Sequence, residues 1–190
     1  MKLETRVSSF QFPVSNFKFQ KRGCFIQEHI AYISIGSNIG DKLLNCQNGI
    51  AALTTSGKSV LHAQSQFYKT EPVDYKDQDW FINAVVKIGT SSDPFQLLNE
   101  LKSIEGEAGR TKTIRFGPRI LDLDILLYDD VVIDNISGLS VPHARMHQRR
   151  FVLRPMCDIA PELVHPVLKK DMQYLLNHLD DNEQKIIQFK

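Results

Sequence analysis

Two carboxylates stand two residues apart inside an apolar run: Asp122 and Asp124, within Arg115-Phe-Gly-Pro-Arg-Ile-Leu-Asp-Leu-Asp-Ile-Leu-Leu-Tyr128. The run reads as a strand. Side chains at i and i+2 share a face, so both acids point one way while Leu121, Leu123 and Ile125 point the other. Two like charges on a half-buried face are costly unless a cation joins them. A hard divalent ion answers that need, and Mg²⁺ held by one or two carboxylates ordinarily works on substrate phosphates. Directly upstream lies a loop with Gly109, Gly117 and four cations, Arg110, Lys112, Arg115 and Arg119. Guanidinium forks match phosphate oxygens two at a time. A loop that closes over them would expel competing water. Together these residues suggest phosphoryl transfer, with two metal ions clamping the attacking and leaving oxygens of an in-line displacement.

A second cluster is Val141-Pro-His-Ala-Arg-Met-His-Gln-Arg-Arg150. The residue before a proline is biased to extended geometry, which suits a fixed phosphate or ribose contact by His143. His143 and His147 as a helical metal pair lack a third ligand, and His147 reads as structural. Phe81 and Phe151 read as core packing from residue type alone; with Asn83 they could instead form an aromatic slot with an amide. Gly36-Ser-Asn38 follows a strand but is neither a P-loop nor a dinucleotide fingerprint.

The elements that must position these residues follow from periodicity. We expect a strand over 29–35, a helix over Lys42–Thr55 capped by Asp41, a strand over 59–70 and another over 80–89. A second helix starts at Pro94 and ends before Gly109. The acid-bearing strand follows, with a short strand over 130–133 pairing back onto it through Asp129-Asp130. Four prolines segment the remainder, Pro142, Pro155, Pro161 and Pro166, leaving helices near 149–158 and 172–179. The order β-α-β-β-α-β predicts an α+β, ferredoxin-like antiparallel sheet with helices packed on it and C-terminal additions. Residues 29–190 are expected to form a single domain, preceded by a flexible extension over 1–28.

Bulk composition excludes several classes. The 190 residues carry a formal net charge of +1, so nothing global favours nucleic acid or an anionic membrane. The three cysteines, Cys24, Cys46 and Cys157, have no metal-ligand or disulfide spacing, which fits a reducing compartment. No apolar stretch approaches the roughly 20 residues needed to span a bilayer. The expected location is cytoplasmic. The basic, acid-poor stretch 1–28 admits an organelle transit segment as the weaker alternative.

Read in order, Gly36-Ser-Asn-Ile-Gly-Asp41, Phe67-Tyr-Lys-Thr70, Phe81-Ile-Asn-Ala84, Glu105, Gly109-Arg110, Phe116-Gly-Pro-Arg-Ile-Leu-Asp-Leu-Asp-Ile125, Val141-Pro-His143 and Arg149-Arg-Phe-Val-Leu153 resemble the 6-hydroxymethyl-7,8-dihydropterin pyrophosphokinases of folate biosynthesis. The resemblance implies transfer of pyrophosphate from MgATP to the pterin hydroxymethyl group, with release of AMP. It implies that Asp122 and Asp124 hold two Mg²⁺ ions and that Arg110 and Arg119 stabilise the transferring phosphate. Phe81 and Phe151 would sandwich the pterin, with Gly36, Asn83 and the stretch from Thr70 to Val73 at its edge. Lys102, Glu105, Arg110, Ile125, Ser140, His143 and Arg149 would surround ATP. Dihydropteroate synthase and dihydroneopterin aldolase become candidate pathway partners. Phe81 stands where relatives often carry Tyr, Phe116 where many carry Trp, and Ala144 where some carry an aromatic residue.

Three other functions compete. A metal-dependent nucleotidyltransferase would use the same acid pair but release pyrophosphate. An RNA-recognition module shares the strand order, but its inner-strand aromatics are missing and the acid pair would repel phosphate. A catalytically dead pterin- or nucleotide-binding protein would not need the intact acids and arginines.

Overall fold

The computed structural model describes residues 18–21, 24–73, 75–109, 117–180 and 184–190. Lys18–Lys21 (β1) and Cys24–Gln27 (β2) pair as an antiparallel hairpin. This hairpin lies within the 1–28 extension. His29–Ser37 (β3), Lys42–Thr55 (α1), Ser59–Gln64 (β4), Tyr68–Thr70 (β5), Phe81–Thr90 (β6), Pro94–Glu107 (α2) and Asp122–Tyr128 (β7) follow. β3 lies between β6 and β7, antiparallel to both, and β4 pairs antiparallel with β6. This is the expected split βαβ arrangement: each helix crosses between two strands that run alike, with a third strand between them.

Local chemistry sets the helix ends. The Asp41 side chain accepts the Leu44 N–H at 3.1 Å and starts α1. Asp93 and Gln96 form a capping box that spans Pro94, whose missing N–H costs nothing in the first turn. Gly109, with φ +90°, lets the chain turn out of α2 where a Cβ would be strained.

The expected strand over 59–70 is broken into β4 and β5, which pair with opposite ends of β6. At the break, the Ser65 hydroxyl accepts the Val85 N–H at 2.9 Å, and the Ser65 N–H donates to the Val85 carbonyl at 2.9 Å. The proposed 130–133 hairpin onto β7 does not form. Asp129 instead accepts the Ile30 N–H at 2.8 Å and pairs with His29 at 2.7 Å. The hairpin lies further on, between Ile133–Ile136 (β8) and Leu139–Val141 (β9). Arg150–Ile159 (α3) and Met172–Asn177 (α4) match the expected C-terminal helices. Ile186–Gln188 (β10) adds to β5 at the sheet edge, a strand of three residues too short for periodicity to reveal.

Both faces of the sheet are covered, but unequally. Ala31, Ile33, Ile35, Val86, Ile88, Leu123 and Ile125 form one face and meet Cys46, Ile50, Leu53, Leu97 and Leu101 of α1 and α2. On the other face Tyr32, Val85 and Leu127 meet Val152, Leu153 and Met156 of α3 and Met172 of α4. The β3–β7 register shifts between Tyr32 and Ile33, whose partners are Leu127 and Ile125, so Leu126 is an extra residue in β7. Leu126 and Leu127 consequently both join the core under α3.

Candidate active site

Beyond the reach of α3, the second face of the sheet turns polar. In the register of the three central strands, Gly36 pairs with Asn83 on one side and Asp122 on the other, and Ser34 pairs with Asp124. The alternation that buries Ile33 and Ile35 therefore places Ser34, Gly36, Asn83 and both acids in one patch. The patch floors an open cleft, with Phe81 and Phe151 among its walls and Thr70 and Val73 at its rim.

Gly36 is a close-approach glycine. A Cβ there would lie 2.6 Å from Asn83 Oδ1 and 3.9 Å from the Phe81 ring. The Asn83 amide occupies that space, and its Nδ2 donates to the Thr70 hydroxyl at 2.6 Å. The amide is buried and its orientation fixed, so it presents a set pattern to anything lying on the sheet.

The acids are held in tension. The Arg119 guanidinium pairs with Asp122 at 2.5 Å. Burial, and then the charge of Asp122, push the Asp124 pKa well above the usual carboxylate range, with Arg149 opposing. Two carboxylates on one face, one of them buried, favour a cation bound between them. Among the described residues no group of three His, Cys, Asp or Glu side chains is placed to cage a metal. Two carboxylates facing an open cleft fit Mg²⁺, which retains waters and takes substrate phosphates as ligands, better than a closed structural zinc site. Behind β7, the buried Glu105 carboxylate accepts the Leu123 N–H at 2.8 Å, fixing the strand between the two acids from the α2 side.

Two more contacts set the cleft. Asn38 is buried and ties three segments together. Its Oδ1 accepts the Arg119 N–H at 2.7 Å, its N–H donates to the Arg119 carbonyl at 3.0 Å, and its Nδ2 donates to Gln78 Oε1 at 2.9 Å. His143 accepts the Arg145 N–H at Nδ1 at 3.2 Å and is drawn against β7 by a 2.9 Å bond from its own N–H to the Leu126 carbonyl. Burial, then the charges of Arg149 and Arg145, depress its pKa to about 4. His143 is thus a neutral imidazole at physiological pH, a hydrogen-bonding group rather than a cation. The Arg149 guanidinium lies 5.4 Å from the centre of the Phe151 ring.

Eleven residues named from the sequence converge on this one cleft: Gly36, Thr70, Val73, Phe81, Asn83, Arg119, Asp122, Asp124, His143, Arg149 and Phe151. Four others do not line it. Lys102 is exposed on α2, Glu105 sits behind β7, and Ser140 lies on β9. Ile125 is 4% exposed, its side chain in the core under α1 and α2 as strand alternation predicts. Arg110, Lys112, Arg115 and Phe116 lie outside the described residues. Glu71, within the expected Thr70 to Val73 stretch, and Arg145, within the 141–150 cluster, also line the cleft, as do Ser34 and Gln78, which the sequence did not single out. Ser34 was accessible to reasoning, as a polar residue two positions before Gly36 in an apolar strand. Gln78 sits on irregular chain with no periodic signal.

Residues 32–161 match the family described as 7,8-dihydro-6-hydroxymethylpterin-pyrophosphokinase. The 2-amino-4-hydroxy-6-hydroxymethyldihydropteridine pyrophosphokinase of Bacillus subtilis is 44% identical over 135 residues, covering 71% of this chain and 80% of that protein. The folic acid synthesis protein fol1 of Schizosaccharomyces pombe is 44% identical over 172 residues, covering 85% of this chain but only 23% of that protein. The mitochondrial folate synthesis bifunctional protein of Arabidopsis thaliana is 42% identical over 132 residues, 70% of this chain and 24% of that one. The chain thus spans about a quarter of these two relatives. Among solved structures, wild-type HPPK-DHPS of Plasmodium falciparum has a TM-score of 0.61 at 18% identity, covering 79% of this chain and 44% of that one; this is a likeness of fold.

Proposed function

The chain belongs to the 7,8-dihydro-6-hydroxymethylpterin-pyrophosphokinase family, and we propose that it transfers the β,γ-diphosphate of MgATP to 6-hydroxymethyl-7,8-dihydropterin in folate synthesis. The observation that carries this reading is the meeting, in one cleft, of an aromatic and amide lining with an acid pair and several arginines. In the reaction, the hydroxymethyl oxygen forms a bond to the β-phosphorus. The bond from that phosphorus to the oxygen of the α-phosphate breaks, AMP leaves with the electron pair, and the hydroxyl proton goes to solvent.

Each group then has a physical role. Phe81 and Phe151 offer faces to a flat heteroaromatic ring, and the fixed Asn83 amide offers edge hydrogen bonds beside Thr70. Asp122 and Asp124 would hold Mg²⁺, two ions in our reading, which supplies charge neutralisation to the phosphates. Arg119, Arg145 and Arg149 line the same cleft and would hold phosphate oxygens as charge moves toward the leaving AMP. Neutral His143 adds a hydrogen bond without adding charge. The acceptor is a primary alcohol held beside a polarised phosphorus, so positioning and charge stabilisation matter more than a strong base. Arg110 would join these groups, with Lys102, Ser140 and the backbone at Ile125 bordering the nucleotide.

The test is product analysis by nucleotide chromatography. Protein with MgATP and the pterin should yield AMP and a pterin diphosphate, and omission of pterin or of magnesium should abolish both. Pyrophosphate release would instead identify a nucleotidyltransferase, and the proposal would fail. A second folate enzyme, dihydropteroate synthase or dihydroneopterin aldolase, is the partner we propose. No helix among the described residues is long and apolar enough to cross a membrane. We place the protein in the cytoplasm. One relative is named mitochondrial, so imaging the tagged chain with and without residues 1–28 decides between that placement and an organelle leader.

A further inference from the structure

One contact outside the cleft joins two of its walls. Asp158, near the C-terminal end of α3, accepts the Tyr68 hydroxyl at its two carboxylate oxygens, 3.0 and 2.8 Å away, and the Gln66 N–H at 3.2 Å. Arg154, one turn earlier on the same helix, reaches that carboxylate at 3.4 Å and lies 5.8 Å from the centre of the Tyr68 ring. Tyr68 is 4% exposed, so its hydroxyl must find an acceptor inside the protein. An ionised acceptor makes that bond stronger and more directional than a neutral one.

The position of this contact gives it leverage. Phe151 stands near the other end of α3, about 10 Å from Asp158 at 1.5 Å of helix rise per residue. Tyr68 begins β5, whose last residue, Thr70, holds the Asn83 amide, and the chain then runs into the rim at Glu71, Pro72 and Val73. The Tyr68–Asp158 bond therefore fixes the helix carrying one aromatic wall relative to the strand carrying the edge partners. Pro155 stands between them and cannot donate to the Phe151 carbonyl, so it is the packing of Val152, Leu153 and Met156 in the core that keeps α3 one body and passes a shift at Asp158 on to Phe151. Neither Tyr68 nor Asp158 lines the cleft.

We propose that Tyr68 and Asp158 are positioning residues that set the pterin slot, acting through Phe151 and Thr70 and leaving the nucleotide side untouched. The inference rests on the pterin reading above. The experiment is a set of variants, Tyr68→Phe, Asp158→Ala, Asp158→Asn and the double Tyr68→Phe/Asp158→Ala, each measured for pterin binding by fluorescence titration, for KM of both substrates and for Tm. Tyr68→Phe should weaken pterin binding and raise pterin KM roughly tenfold, the size of a lost charge-assisted hydrogen bond, with ATP KM within about twofold. Asp158→Asn, which keeps an oxygen acceptor, should recover most of the loss in Asp158→Ala. The double variant should be no worse than Asp158→Ala, as expected for residues acting as a unit. Unchanged pterin KM in Tyr68→Phe, or ATP KM rising in parallel with pterin KM as Tm falls, would overturn the assignment. If Asp158→Ala does not fold, Tyr68→Phe decides alone, because it removes one oxygen from an otherwise unaltered ring. A wild-type chain that binds no pterin would refute the functional reading itself. Wild type and variants that bind pterin equally well would refute only the clamp.

Discussion

Under α1 and α2 the sheet presents Ala31, Ile33, Ile35, Leu123 and Ile125, all buried and apolar. On the opposite face the same strands present Ser34, Gly36, Asp122 and Asp124, residues that alternate with those just named. The first face gains stability from apolar area removed from water. The second gives that gain up: it keeps two acids close together, one with its pKa driven upward by burial and by the other. Adjacent residues of one strand thus serve different ends, and mutations at neighbouring positions should separate stability from activity.

The sharpest way to break this comparison is at the acids. Asp122→Ala or Asp124→Ala should lower turnover by about three orders of magnitude or more while circular dichroism and Tm stay near wild type. Near-normal turnover in either variant would remove the metal assignment. Arg119→Ala should follow, at roughly 10² to 10³ in kcat with a smaller effect on KM; a change confined to KM would contradict a role in the transition state. On the apolar face, Leu101→Ala should cost about 2–5 kcal/mol of stability through cavity formation. Its kcat/KM at low temperature should be unchanged, and a loss of activity without a loss of Tm would erase the contrast between faces. Gly36→Ala sits on the boundary. Its Cβ would displace the Asn83 amide, so pterin KM should rise about tenfold, ~1.4 kcal/mol.

The smallest expected effect is in pH dependence. His143 titrates at about 4 in the folded protein against an ordinary value of 6.5. Between those values the unfolded chain binds a proton that the folded chain refuses, so stability falls as pH drops from 6.5 toward 4 and this contribution levels off below. Denaturant titrations should show that slope reduced in His143→Gln; an identical slope would mean that His143 is not held neutral.

Much of this division was legible in the sequence. The spacing of Asp122 and Asp124 placed them on one face and Ile125 on the other, and the structure follows that alternation. Helix bounds were legible wherever a start signal was written locally, as at Asp41 and at Pro94. What escaped depended on distant partners. The break after β4 depends on Ser65 meeting Val85, and the displaced hairpin on Asp129 being claimed by Ile30 and His29, about a hundred positions away. Gln78, a cleft residue on irregular chain, was invisible for the same reason: no period marks it.

The extra residue at Leu126 has a consequence for how this chain can change. It lets one short strand obey two phases, sending Asp122 and Asp124 to the open end of a face and Leu126 and Leu127 to its covered end. Parity along a strand counts residues, not their identities. Side chains in this stretch can drift within their chemical class, but a single deletion between the acids and the bulge would turn one end over, facing the acids toward α1 and α2 or the leucines toward water. Sequence length here should therefore be far more constrained than sequence content, and descendants of this gene should vary by substitution in β7 and by insertion only beyond it.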